Sequence, residues 1–208
     1  MADIGLFEAI HSQRSFTRYK TDPVPHEAIE KILDAATKAP SGGNVQPWQF
    51  VAVTDRDLVR RLGELYRDDW LNSRGHTAPT DEPPAYRSAR YLANHMPDVP
   101  AMILICADHL DGYLPYTPGQ PLNREQYGSS VWLAAQNIFL AARALGLGTR
   151  LTTVLHRKEA EVRALLGIPE HIEVMAMTPL GYPRGSFGPP VRQPASDFIS
   201  WDRWGNRA

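Results

Sequence analysis

Hydrophobic and polar positions along this chain change period several times, and the changes outline its elements. Ile4, Phe7, Ala9 and Ile10 suggest a short first helix. Pro25-His26-Glu27 opens a second, with Ile29, Ile32, Leu33 and Ala36 at helical spacing and the proline suited to a first turn. Phe50 to Val53 reads as a strand. Asp55 then caps a third helix that carries Leu58, Leu62 and Leu65 along one side. Residues 101–107, Ala-Met-Ile-Leu-Ile-Cys-Ala, form an unbroken apolar run, the pattern of a strand buried on both faces. A short strand follows Gly146-Leu147-Gly148, Lys158 to Leu166 is helical and stops before Gly167, and Ile172 to Leu180 is a further strand. Residues 68–97 are polar and contain proline, and 108–126 are rich in Pro, Gly and Tyr. Neither stretch has a period that assigns structure.

Gly128 to Leu145 is the strongest helix, with almost no polar face: Val131, Trp132, Leu133, Ala134, Ala135, Ile138, Phe139, Leu140, Ala141, Ala142 and Leu145. A helix apolar nearly all round has to be buried on all sides. The covering surface is either the rest of the monomer or a partner subunit, and the small size of the chain favours the partner. Residues 181–208 have no helical period, and their aromatic and arginine content fits an extended arm that packs against another surface. The elements together predict an α+β class and one domain over 1–208, with a variable region at 68–126 and a C-terminal arm at 181–208.

Composition narrows the partners. The 208 residues are 43% hydrophobic and 22% charged, with a formal net charge of -1. That balance argues against a general nucleic-acid or anionic-membrane surface. No apolar run approaches the roughly 20 residues of a membrane span, and no basic start leads into an apolar stretch as in a signal peptide. The single cysteine, Cys106, cannot form an internal disulfide. A reducing, cytoplasmic setting is the simple expectation, and inside an apolar strand Cys106 reads as a packed thiol rather than a nucleophile.

Candidate chemistry is concentrated in two places. Ala39-Pro40-Ser41-Gly42-Gly43-Asn44-Val45-Gln46-Pro47-Trp48 is a turn of small residues between a helix and a strand. Such a turn lets a flat ligand approach the backbone, and the Asn44 and Gln46 amides offer donors and acceptors to its edge. Near the N-terminus stands Gln13-Arg14-Ser15-Phe16-Thr17-Arg18-Tyr19. Its two arginines and its hydroxyls either surround a phosphate or form a solvated basic turn. Other motifs carry less. Gly146-x-Gly148 follows a helix and reads as its C-cap. No Gly-x-Ser-x-Gly elbow is present, which leaves Ser41 a turn residue. The seven histidines show no metal-ligand spacing. Trp132, Trp201 and Trp204 read as core or interface anchors.

With these motifs in place the chain resembles the nitroreductase family of flavoproteins. That family shows an Arg-x-Ser-x-Arg/Lys-x-Phe phosphate segment, an Ala-Pro-Ser-x-x-Asn-x-Gln-Pro-Trp turn, a Gly-Leu-Gly after a central apolar helix and a Leu-Gly-Tyr-Pro after the last strand. The counterparts here are Gln13 to Tyr19, Ala39 to Trp48, Gly146-Leu147-Gly148 and Leu180-Gly181-Tyr182-Pro183. One departure stands out: Gln13 and Thr17 occupy the positions that are usually basic, and the charges fall one place later, at Arg14 and Arg18. The resemblance implies a three-layer α/β sandwich with a mixed central sheet, assembled as an intertwined homodimer that binds FMN. It implies flavin contacts at Gln13, Arg14, Ser15, Thr17 and Arg18, at Pro40, Ser41, Gly42, Asn44 and Gln46, at Thr152 and Thr153, and at Arg192, with the turn serving a flavin whose phosphate the other subunit holds. The implied activity is ping-pong transfer from NADH or NADPH, through FMN, to nitroaromatic, quinone or similar small acceptors. No acid–base side chain is required. Alternatives within the fold are a reductive dehalogenase and a flavin-fragmenting enzyme, and outside catalysis a flavin-binding protein.

Overall fold

The computed structural model describes residues 4–74, 83–108 and 124–207. Its centre is β2, Ala101–Asp108, in which every residue from Ala101 to Ala107 is fully buried. An unbroken apolar run is what burial on both faces demands, and both faces are covered. Ala101, Ile103, Ile105 and Ala107 join one core with residues of α2 (His26–Ala36) and α5 (Arg124–Ala144). Met102, Leu104 and Cys106 join another with residues of α3 (Arg56–Arg74), α4 (Pro84–His95) and α6 (Glu159–Leu166). The period-two alternation of one strand therefore holds apart two helical layers.

Four strands make the sheet among the described residues, in the order β1 (Trp48–Val53), β2, β4 (Ile172–Gly181) and β3 (Gly148–Thr149). All three ladders are antiparallel. The sequence resemblance implies a mixed sheet. Among the described residues the parallel component is a single bridge, from Ser15 to Thr149 of β3. The β2–β4 register slips between Ile105 and Cys106: Ile105 opposes Ala176 and Cys106 opposes Val174. The extra residue, Met175, thus joins Ala176 in the α2–α5 core, the two-against-one geometry of a bulge.

Most predicted elements are present. The first helix is α1, Leu6–Ser12, and the Asp55 carboxylate accepts the Leu58 N–H at 2.9 Å to start α3. Gly167, at φ 67°, ends α6 in the left-handed conformation that favours glycine. Two results go beyond expectation. α3 runs on to Arg74, and α4 occupies part of the stretch whose period assigns nothing; Leu92 and Ala93 on α4 are fully buried. The second concerns α5: Trp132 and Leu133 stay 38% and 47% exposed in the single chain, so one side of this apolar helix is uncovered. Of the 68–97 region, residues 75–82 lie outside the described residues, as do 109–123 of the 108–126 stretch. No described helix is long and apolar enough to cross a membrane.

Gly63 marks the closest approach in the helical layer. A Cβ at this position would overlap the Pro97 backbone, where α3 crosses the turn after α4. Gly63→Ala should therefore lower unfolding free energy by about 3 kcal/mol, since the obstructing atoms are main chain and cannot rotate away. Urea denaturation checks this, and an unchanged midpoint contradicts the packing.

Candidate functional site

The Pro40–Trp48 turn has a defined and strained backbone. Gly43, Asn44 and Gln46 have φ of 58°, 56° and 55°. Glycine and asparagine adopt this region readily, whereas glutamine does so at a cost of about 1 kcal/mol. Main-chain bonds from the Asn44 N–H to the Ser41 carbonyl and from the Val45 N–H to the Gly42 carbonyl close the turn, and two further bonds fix its exit. The Gln46 N–H donates to Ser41 Oγ at 2.7 Å, and the Asp108 N–H donates to the Pro47 carbonyl at 2.7 Å, tying the turn to the end of β2. Gln46 Nε2 donates toward the Asn44 carbonyl and Oδ1, at 3.3 and 3.2 Å. Asn44 Nδ2 and Gln46 Oε1 are left without protein partners among the described residues, one donor and one acceptor. Pro47 and Trp48 are buried beneath them, while Pro40, Gly42, Asn44 and Gln46 are exposed, and nothing stands within 4 Å of a Cβ placed on Gly42. The result is a rigid, open polar ledge.

The N-terminal segment leaves α1 at Gln13, whose N–H closes the helix onto Ala9, and is stitched to the sheet edge. The Phe16 N–H donates to the Thr149 carbonyl at 3.0 Å, Ser15 bridges Thr149, and Tyr19 bridges Pro183. Arg14 and Ser15 are exposed, and their side chains have no partner among the described residues. Thr17 Oγ1 lies 3.0 Å from Ser88 Oγ on α4. The Arg18 guanidinium stacks on the Tyr91 ring at 3.8 Å. The two arginines, alike in the sequence, thus have different surroundings. Burial raises the Tyr19 phenol above its ordinary range, which leaves it a neutral donor to the Phe16 carbonyl at 3.1 Å.

Beside this segment runs the chain after β3. Thr152 exchanges two main-chain hydrogen bonds with Met177, both 2.9 Å, and its Oγ1 accepts the Val154 N–H at 3.3 Å. Thr153 is exposed. Ser15, Thr152 and Thr153 therefore belong to one edge of the sheet. The turn is elsewhere, packed against α5, and no hydrogen bond or ring contact of the described residues joins it to residues 13–18. Arg192 is exposed in the C-terminal segment and donates only to the Val191 carbonyl. The fold thus gathers Gln13–Thr17 with Thr152–Thr153 but does not bring Pro40–Gln46 or Arg192 to them within one chain.

Comparison with known proteins decides the family. The model of the family described as "Nitroreductase family" matches residues 10–182. The chain belongs to the nitroreductase family. A protein of Archaeoglobus fulgidus with the provisional name NADH dehydrogenase/NAD(P)H nitroreductase is 33% identical over 177 residues, covering 84% of this chain and 83% of its own. Iodotyrosine deiodinase 1 of Rattus norvegicus is 28% identical, over 93% of this chain and 68% of the relative. Among solved structures, a provisionally named NADH dehydrogenase/NAD(P)H nitroreductase of Parabacteroides distasonis matches with TM-score 0.69 and 25% identity, covering 96% and 98% of the two chains. This nitroreductase-family chain is accordingly an NAD(P)H oxidoreductase. Family members generally use a flavin and are typically dimers.

Sequence reasoning passed over α4. Ser88 and Tyr91 hold Thr17 and Arg18 from a stretch with no readable period, and only a helix beginning at Pro84 could have exposed the 3–4 spacing that turns both residues the same way. It also passed over Arg143, whose Nε donates to Ser12 Oγ at 2.7 Å and whose guanidinium covers the Phe187 ring at 4.2 Å. Both connections span distances that no local pattern reports.

Cys106 takes no part in the site. Burial pushes its thiol up to about 12, leaving very little thiolate at neutral pH. A chromogenic disulfide reagent at pH 8 should leave the native protein unlabelled for hours and titrate one thiol at once in denaturant. Rapid native labelling would contradict both the burial and the shift.

Proposed function

We propose that this nitroreductase-family protein is an FMN-dependent homodimeric enzyme that passes reducing equivalents from NADH or NADPH to a small electron-poor acceptor, a nitroaromatic, a quinone or a related molecule. The observation that carries this reading is the presence of two open polar sets on separate parts of one chain. Arg14 and Ser15, without side-chain partners among the described residues, and from the tail Arg192, bonded only to the Val191 carbonyl, supply cations and a hydroxyl, the donor set that a phosphate requires. Asn44 and Gln46 supply amide groups on a ledge with free space above Gly42, as a planar ring edge requires. The residues present therefore fit FMN.

Exposed apolar surface supports the assembly. Leu6, Phe7 and Ile10 on α1, with Trp132 and Leu133 on the adjacent α5, are exposed in the single chain. So are Val191, Phe198, Trp201 and Trp204 of the tail. Apolar area of this extent is unusual on a monomer and fits a subunit interface. A second copy would let the turn of one subunit serve the phosphate-binding segment of the other.

Bound FMN would supply hydride acceptance and release, so the donor and then the acceptor could use one place in turn, a ping-pong sequence. The chain's own work is positional. Arg14, Ser15 and Arg192 would fix the phosphate, Gln13, Thr17 and Arg18 belong to the segment that carries them, and Pro40 to Gln46 with Thr152 and Thr153 would orient the ring by main-chain and amide hydrogen bonds. Solvent can provide protons, and no side chain is assigned as acid or base. A second reading rests on the iodotyrosine deiodinases among the relatives: reductive removal of halide from an aromatic ring. Iodide release from an iodophenol under anaerobic turnover separates it from nitro-group reduction.

The purified protein should be yellow or take up added FMN, and anaerobic NADH or NADPH should bleach it. Arg14→Ala and Arg192→Ala should each weaken FMN binding about tenfold or more by fluorescence titration, the loss of a charge-assisted hydrogen bond. A protein that takes up no FMN overturns the cofactor assignment. Sedimentation should give a dimer, and Trp132→Asp should shift it toward monomer with parallel loss of bound flavin. A monomeric wild-type protein that holds FMN tightly overturns the shared site.

A further inference from the structure

A second concavity lies between the N-terminal segment, the start of α3 and the end of α4. It encloses about 370 Å³, and Thr17, Thr21, Arg56, His95, Asp98 and Arg184 are among the residues that line it. Except for Thr17, these belong neither to the turn nor to the phosphate-binding segment discussed above.

Its charges are arranged in an uncommon way. Arg56 donates from Nη1 to the Val99 carbonyl and from Nη2 toward the Pro97 carbonyl, and Arg184 donates from Nε to the Tyr19 carbonyl at 2.8 Å. Carbonyls orient a guanidinium without neutralising it. Neither arginine has an ion pair among the described residues, and the one carboxylate in the lining, Asp98, also forms none. Nη1 and Nη2 of Arg184 and Nε of Arg56 remain without partners among the described residues. Behind them stands a three-part stack. The Arg18 guanidinium lies 3.8 Å from the Tyr91 centroid, and His95 stacks on the same ring at 4.0 Å and 13°. His95 Nδ1 is 2.8 Å from the Tyr91 carbonyl and donates to it, which fixes the imidazole as part of the wall. Arg56 is the first residue of α3, and the helix end beside it is already capped by the Asp55 carboxylate, so the cleft draws its positive charge from the guanidiniums alone. The Thr21 hydroxyl has no partner among the described residues. Two oriented guanidiniums and a third one layer behind thus face a single carboxylate.

We propose that this cleft binds a phosphate group carried on a small organic molecule, at a site separate from that of the flavin. Oriented guanidiniums arriving from two elements suit a tetrahedral oxyanion, and the volume, within the range of small-molecule pockets, leaves room for the organic body. Two sources share this chemistry: the phosphates of the nicotinamide donor, and a distinct phosphorylated acceptor or effector.

Calorimetric titration of the FMN-saturated protein with phenyl phosphate tests the proposal, because the flavin's own phosphate site is then filled. The dissociation constant should be about 100 μM. Arg184→Gln should weaken binding at least tenfold, and Asp98→Asn should tighten it about threefold. The gain in Asp98→Asn matters because a folding defect cannot imitate it, and it decides the case if Arg184→Gln disturbs the Tyr19 segment. Absence of binding, or binding indifferent to both substitutions, overturns the proposal. The same titration on protein without FMN keeps this outcome separate from any failure of the flavin assignment, which colour alone reports. KM values distinguish the sources: a rise for NADPH but not NADH in Arg184→Gln places the donor's extra phosphate here, equal rises place its pyrophosphate here, and unchanged values with lost phenyl phosphate binding point to a separate phosphorylated molecule.

Discussion

Main-chain pairing does not stop where β4 stops. Along its length β4 pairs with β2, and at its end with β3. Past Gly181 the Tyr182 carbonyl accepts the Lys20 N–H at 2.8 Å, and the Arg184 N–H donates to the Arg18 carbonyl at 3.0 Å. On the other side Met177 and Thr152 exchange both of their hydrogen bonds. One continuous line of backbone thus fixes the N-terminal segment and the loop after β3. Neither has much propensity of its own to be ordered, and ordering a residue costs about 1–2 kcal/mol of backbone entropy. Each hydrogen bond returns only about 1 kcal/mol net, so the positions hold because the pairing is anchored in a buried sheet.

Packing finishes what pairing begins. Phe16 points from the N-terminal segment toward Gly148, where a Cβ would stand 2.9 Å from its ring, and meets Phe187 edge-on at 5.0 Å. Arg143 covers Phe187 while holding Ser12 at the end of α1. One aromatic pair and one arginine therefore connect α1, α5, the N-terminal segment after α1 and the chain that leads into the tail. The tail departs from a fixed point, although beyond it Val191 and Trp204 are 95% and 98% exposed.

The elements legible in the sequence are those with a strong local signal. The β2 run could not be mistaken, because burial on both faces leaves an unbroken apolar string. Asp55 and Gly167 marked helix ends through chemistry confined to one turn. The Pro40–Trp48 stretch announced a turn by composition, but its positive φ at Gln46 was hidden, since nothing about glutamine favours that region and a bond from Ser41 enforces it. α4 was illegible because its apolar face is narrow and its buried residues, Leu92 and Ala93, fall next to each other. The partners of Thr17 and Arg18 lie some seventy residues away in that helix, a separation at which spacing carries no information.

The arginine pair shows how geometry revises a compositional idea. Two arginines four positions apart look able to embrace one phosphate, and on a helix they could. In backbone that bridges neighbouring strands at Ser15 and Tyr19, four residues span about 13 Å, several times the width of a phosphate. Arg18 is held by Tyr91, toward the α4 cleft, while Arg14 stands free. On the FMN reading, a second cation for the phosphate near Arg14 has to come from outside the segment. Arg192 meets the requirement of charge but sits in a tail with no packing of its own. The chain also leaves an apolar surface uncovered on α1 and α5. Docking of that tail and that surface against a second copy would resolve both conditions at once, and for this reason the flavin site and the dimer stand or fall together, whereas the basic cleft behind Tyr91 depends on neither.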